Sequence, residues 1–241
     1  MINKFVSLAI LMGFVLSLAV TPAWSGEDEA VANELTILLK ASRAVLVQNK
    51  PLIKNPQKAG IGVDKFISIT FKNYEKATGK KFKKGSGNIG KAQDQLIQAI
   101  KQVVDGVVSG KDTALDPKGR FLPAIFARKA ATQFGQVTRG HMTLKLTTRD
   151  DYLVNVSNKA DAWEKSVIDG KFLKKGWKKG QAFSQMTQHK GKKAFRLISP
   201  EYFKKGCMGC HGGENGTKIH ASKMPGIEGQ LGGAISVAIY K

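Results

Sequence analysis

His141-Met142-Thr143-Leu144-Lys145-Leu146-Thr147-Thr148 divides the chain. Apolar and polar residues alternate along it, as a half-buried strand requires. Everything before it reads as helix. Leu35, Leu38, Leu39, Ala44, Val45 and Leu46 recur at helical spacing between Glu27 and Gln48, and Asn49-Lys50-Pro51 stops the run. Further helical patterns cover Val63 to Ala77, Lys91 to Val108 and Phe121 to Phe134, and Lys80 to Gly90 reads as a basic loop. After the dividing stretch the pattern changes. Gln181 to Gln188 and Lys192 to Ser199 read as strands around a turn at His189-Lys190-Gly191. Ala234 to Tyr240 reads as a closing strand. One helix, Asp161 to Phe172 with Asp161 as its N-cap, interrupts them, and Cys207 to Gly229 reads as a glycine-rich loop. Helices first and an antiparallel sheet second make an α+β arrangement. It has a helical half over residues 26–140 and a sheet-rich half over residues 141–241, with no linker between them.

Composition narrows the class. The 241 residues are 42% hydrophobic and 24% charged, an ordinary globular balance. Lys and Arg total 39 against 18 Asp and Glu, a net charge of +21. Residues 1–25 have the layout of a secretory signal peptide. Lys4 is followed by an apolar run from Phe5 to Val20, then Pro22 and small residues at Ala23 and Ser25. Cleavage after Ser25 predicts a periplasmic chain, residues 26–241, with no transmembrane segment. An exported basic protein is expected to meet acidic proteins or anionic membranes, and not nucleic acid. Nothing resembles paired carboxylates or a Ser/His/Asp set, so an enzyme is the less favoured class.

The two cysteines carry the chemistry. Cys207-Met208-Gly209-Cys210-His211 is C-x-x-C-H, the attachment signature of a c-type haem. Two thiols at this spacing reach the two vinyl groups of one porphyrin edge, and the adjacent imidazole reaches the iron. Haem c is therefore the expected cofactor, held by Cys207 and Cys210 with His211 as the proximal ligand. A zinc tetrad with His220 as fourth ligand is the rival. It is disfavoured because adjacent Cys210 and His211 rarely both point at one metal. A thioredoxin-like dithiol would open a helix after a strand, which the glycine-rich loop does not suggest.

The other iron ligand has few sources. From Gly26 to Gly140 there is no His, Met or Cys. The candidates are His220 and Met224, just downstream of the motif, His141 at the start of its strand, and more distantly Met142, Met186 and His189; an open site is the alternative. Arg196, on the strand before the loop, is the candidate propionate contact by charge and position. Gly85-Ser86-Gly87-Asn88-Ile89-Gly90 matches a dinucleotide-binding pattern. The basic run before it is no apolar strand, and it reads as a loop.

Several ordered stretches then resemble the Tll0287-like family. They are Ser42-Arg43-Ala44-Val45 with Asn49 to Ile53, Phe121 to Arg128, Leu144 to Thr148, Asp161-Ala162-Trp163-Glu164, Ala194 to Pro200, the C-x-x-C-H motif with Gly212, and Gly232 to Val237. The resemblance implies a PAS-like antiparallel sheet packed on a long N-terminal helix and carrying haem c. It implies a redox-sensing or gas-sensing module that acts through a signalling partner. The alternative is an electron-transfer cytochrome that docks acidic redox proteins. The long helix leaves a homodimer open. Two departures stand out. Val154-Asn155-Val156 and Ala160-Asp161 lack prolines common in the family, which loosens that loop. Some members take a distal Cys ligand from the first helix, and this chain has no Cys there.

Overall fold

The computed structural model describes residues 24–82 and 85–241. The expected signal peptide lies outside the described residues except at its last positions, Trp24 and Ser25.

Five helices form the first half: α1 (Trp24–Gln48), α2 (Lys50–Lys54), α3 (Val63–Thr78), α4 (Gly87–Val108) and α5 (Pro123–Val137). Pro51 and Pro123 stand in the first turns of α2 and α5, where the missing N–H costs nothing. α4 starts at Gly87, so four of the six residues of the glycine pattern at 85–90 are helix and not loop. α1 packs against α3, α4 and α5 and against β3 and β4 of the sheet, so it is the centre of the helical layer. Leu35, Leu38, Leu39 and Leu46 of α1 are fully buried, together with Phe66, Leu96, Ile100, Phe121, Phe126 and Phe134. Each such side chain contributes about 1.5–3 kcal/mol relative to exposure.

The sheet has four antiparallel strands in the order β1-β4-β3-β2: β1 (Met142–Thr147), β2 (Phe183–His189), β3 (Lys192–Tyr202) and β4 (Leu231–Tyr240). These are the four strands expected from the sequence, and the architecture is α+β. Lys190 and Gly191 connect β2 to β3 with positive φ at both positions (53° and 74°), the geometry of a two-residue hairpin turn.

Both faces of the central strands are covered. On one face Leu144, Leu146, Phe195, Leu197, Ile235 and Val237 join the helical core. On the other, Ile198, Leu231 and Ala234 pack with Val167, Ile168 and Phe172. Those three residues belong to α6 (Ala162–Val167) and the wider π-helical turn that continues it to Phe172. This double cover explains why β3 is buried continuously from Ala194 to Pro200.

Asp161 caps α6 as expected. Its carboxylate accepts from the Glu164 N–H at 2.9 Å, and Glu164 reaches back to the Asp161 N–H at 3.0 Å. The same acids then hold the helix to the sheet. Arg196 of β3 donates from Nη2 to Asp161 at 2.7 Å and to Glu164 at 3.2 Å, and Lys145 of β1 donates to Glu164 at 2.7 Å. The Arg196 guanidinium also lies 4.2 Å from the Trp163 ring centroid. The Asp-Ala-Trp-Glu and Arg196 stretches are thus two sides of one clamp.

Candidate functional site

The expected loop at 207–229 contains two short helices, α7 (Met208–His211) and α8 (Gly213–Ile219). Five of the seven α8 residues and three of the four in α7 are poor or borderline helix formers, and both helices are too short to show a period, so periodicity could not reveal them. Tertiary contacts hold them instead. The segment leaves β3 at Phe203 and rejoins the sheet at Leu231. It is tied down by Gly229 N–H to the Phe203 carbonyl at 2.8 Å and by Phe203 N–H to the Gln230 carbonyl at 2.9 Å. Ala221 and Ser222 donate to the carbonyls of Leu153 and Asp151, each at 3.0 Å, which pins the far side.

The motif occupies one turn. Cys207 is half-buried and Cys210 exposed, and the two thiols are free. Positions three apart on a helical turn share a face, so both thiols are presented together. The Lys204 N–H donates to Cys207 Sγ at 3.4 Å.

His211 is held from behind. Its Nδ1 lies 2.9 Å from His220 Nε2, and His220 Nδ1 lies 2.7 Å from the Met224 carbonyl oxygen. A carbonyl only accepts, so His220 carries its proton on Nδ1 and its Nε2 accepts from His211 Nδ1–H. The other nitrogen of His211, Nε2, then bears the lone pair, and it has no hydrogen-bond partner among the described residues. Burial pushes the His211 imidazole below its usual pKa, and His220 adds to the effect, so the neutral ring is favoured. His220 is fully buried. Its ring stands 4.9 Å from Tyr152 and 6.3 Å from Phe203 between centroids.

Two glycines permit this packing. A Cβ on Gly216 would fall 2.0 Å from the His211 carbonyl oxygen. One on Gly226 would fall 2.8 Å from the Phe203 ring and 3.0 Å from that same oxygen, to which the Gly226 N–H donates at 2.6 Å.

A cavity of about 650 Å³ borders the turn, lined by Met208, Gly212 to Asn215 and Pro225 to Glu228. Exposed apolar side chains surround the segment. Ile219, Met224 and Ile227 belong to it, and Val47 of α1 approaches Gly206. Paired thiols, an imidazole with its outer nitrogen free, and an apolar rim match what a covalently attached haem requires. No group of three or more His, Cys, Asp or Glu among the described residues is placed to hold a metal ion.

The structure gathers Cys207, Cys210, His211, His220 and Met224, and separates the rest. His220 stands behind His211 with both ring nitrogens engaged, so it is not presented as a ligand from the opposite face. His141 precedes Met142, which pairs with Ile239, whereas the motif hangs from the Leu231 end of β4. The length of β4, roughly 30 Å, therefore lies between them. Met142, Met186 and His189 belong to the strands at that same far end. Arg196 pairs with Ala238 and lies roughly 20 Å along β3 from Phe203, already committed to Asp161 and Glu164. In the described structure its guanidinium serves as a clamp between β3 and α6. Met224 is exposed and stays near the motif.

What sequence reasoning missed is the carbonyl–His220–His211 relay. The nine-residue spacing of the two histidines was visible, but it suggested chain passing around a ring edge and not a return behind His211.

A second cluster faces α1. Lys40 donates to Ser199 at 2.9 Å, and Arg43 is ion-paired with Glu201. Burial pushes Lys40 below its usual pKa. Burial alone would raise Glu201, but Arg43 and Lys40 outweigh it and hold the carboxyl low.

The family model described as Tll0287-like matches residues 54–239, most of the chain and the whole of the site. The match begins beyond Ile53, so α1 and its exit lie outside it. No curated protein and no solved structure matches the chain.

Proposed function

The chain belongs to the Tll0287-like family, and from that premise we propose that it is a periplasmic monohaem c-type module for redox or small-ligand sensing through a partner. The observation that carries the reading is His211, its Nδ1 satisfied from behind and its Nε2 free, on the same turn as two unpaired thiols. Cys207 and Cys210 would form the thioethers and His211 would bind the iron. When bound there, haem would supply a reversible one-electron couple and a position where a diatomic gas could bind. The protein's part is to orient His211, shield the ring with an apolar rim, and transmit a change at the site into the sheet. Phe203, adjoining β3, and Gln230, adjoining β4, bond to one another at the root of the segment, so displacement there reaches both central strands.

Among the sixth-ligand candidates only Met224 lies near the motif with its side chain exposed, which favours either that thioether or an open position. Export rests on the layout of residues 1–25; no helix among the described residues is long and apolar enough to cross a membrane.

Electron transfer is the second reading, favoured by one observation. Lys204, Lys205, Lys218 and Lys223 are exposed around the motif, and Lys179 reaches its edge at the Gly229 carbonyl, 3.0 Å away. Such a collar suits docking of an acidic redox protein.

Visible and EPR spectra of the purified exported protein, with and without CO or NO, test the proposal. A covalent haem that binds CO at once supports sensing. A low-spin spectrum indifferent to CO supports the electron carrier, and no covalent haem refutes both.

A further inference from the structure

We infer that His220 is a positioning residue for His211, fixing its tautomer and strengthening it as an iron ligand through the carbonyl–His220–His211 chain. The inference rests on the haem reading and goes beyond it, because His220 has no part in attachment or in direct ligation.

Donor and acceptor roles fix the direction of the chain. The Met224 carbonyl can only accept, so the proton on His220 must sit on Nδ1, 2.7 Å away. That leaves His220 Nε2 as an acceptor 2.9 Å from His211 Nδ1, which therefore carries the other proton. The chain has one consistent direction, and its outcome is a lone pair on His211 Nε2. A neutral imidazole nitrogen is a better acceptor than a backbone carbonyl. It draws the Nδ1 proton outward and makes the opposite nitrogen more basic. A more basic axial nitrogen favours the ferric state and lowers the reduction potential.

The surroundings hold this arrangement in place. His220 is fully buried and its ring packs on Tyr152, Phe203 and His211. Tyr152 is itself anchored by its hydroxyl, which donates to Gln230 Oε1 at 2.7 Å. The acceptor carbonyl lies four residues along, beyond a tight turn in which Lys223 N–H donates to the His220 carbonyl at 3.0 Å and Lys223 takes a positive φ of 56°. Glutamine can imitate both roles of His220, with an amide N–H for the carbonyl and an amide oxygen for His211; leucine can imitate neither.

The test compares the haem-loaded wild type, His220→Gln and His220→Leu by haem staining on denaturing gels, potentiometry and ferric EPR. All three are expected to stain for covalent haem. H220L is expected to shift the potential upward and alter the axial ligand field, with H220Q remaining close to wild type. Unchanged potential and EPR in H220L would overturn the inference while leaving the haem reading intact. So would a low-spin wild type turning high-spin in both variants, since His220 would then be a ligand itself. A wild type without covalent haem would instead remove the reading on which the inference stands. A purely structural role would lower stability in H220L without the glutamine-rescued shift in potential.

Discussion

Arg196 Nη2 and Glu164 Oε1 meet at 3.2 Å between two side chains that are almost wholly buried. The pair joins β3 to α6 across the outer face of the sheet, and Asp161 and Lys145 complete it. Removing one member of a buried pair leaves the other charged and unsolvated. Arg196→Leu is expected to cost about 3–5 kcal/mol. Denaturant unfolding would measure it, and Lys145→Met should cost less because Arg196 still neutralises Glu164. A loss under about 1 kcal/mol for Arg196→Leu would contradict the clamp.

Gly216 sits in α8, where alanine would ordinarily gain about 1 kcal/mol of helix propensity. The His211 carbonyl, 2.0 Å from where the Cβ would stand, reverses the sign. Gly216→Ala is expected to destabilise by about 1–3 kcal/mol as an overpacked site. It should also reduce haem attachment, because His211 moves with its backbone. Thermal melting and haem staining of the exported variant provide the check; a more stable, fully loaded variant would show that the segment is softer than its contacts imply.

Cys207 and Cys210 each account for one thioether in the proposed attachment. Cys207→Ala is expected to leave at most one, with a red-shifted pyridine haemochrome, and the double alanine variant none. Unaltered pyridine spectra in Cys207→Ala would sink the assignment.

Acid is expected to destabilise the fold in two stages. Burial, then the neighbouring Arg196, pushes His189 below its usual pKa, against a smaller opposing pull from Asp161. A histidine kept neutral in the fold binds its proton more readily when unfolded. Stability is therefore lost as pH falls below about 6.5. Asp161 and Asp112 behave in the opposite charge sense. Burial alone would raise each, but Arg196 and the Glu164 N–H hold Asp161 low, and Lys129 and the Ala114 N–H hold Asp112 low. Their contribution is complete above about pH 4 and disappears as pH falls further through their folded values. Melting temperature against pH should show both stages. His189→Gln, which can keep the contact to the Tyr240 hydroxyl (2.7 Å in the wild type), should diminish the upper one; a profile identical to wild type between pH 7 and 5 would exclude His189.

Local chemistry was legible where one segment carried the whole signal. Alternation identified the first strand, and short runs around a turn or at the chain's end identified the other three. Asp161, an N-cap residue type at the head of a helical run, identified a helix start. The haem motif is a pattern of adjacent residues, and it needed no fold to be read. The short helices at 208–219 were not legible, because glycine-rich chain has little intrinsic preference and borrows its conformation from Phe203, Tyr152 and the 151–153 backbone.

The amino-acid sequence by itself therefore determined the α+β order of elements and the chemistry expected at Cys207, Cys210 and His211. Only the tertiary structure decided the partners. Arg196 looked like a propionate contact because it precedes the motif in the chain, yet a strand rises about 3.3 Å per residue and carries it well away. His220 looked like a second ligand because of its spacing, yet the turn through Lys223 folds it behind His211. Proximity in sequence sets how far a side chain can travel. Hydrogen-bond satisfaction in a buried site sets where it stops.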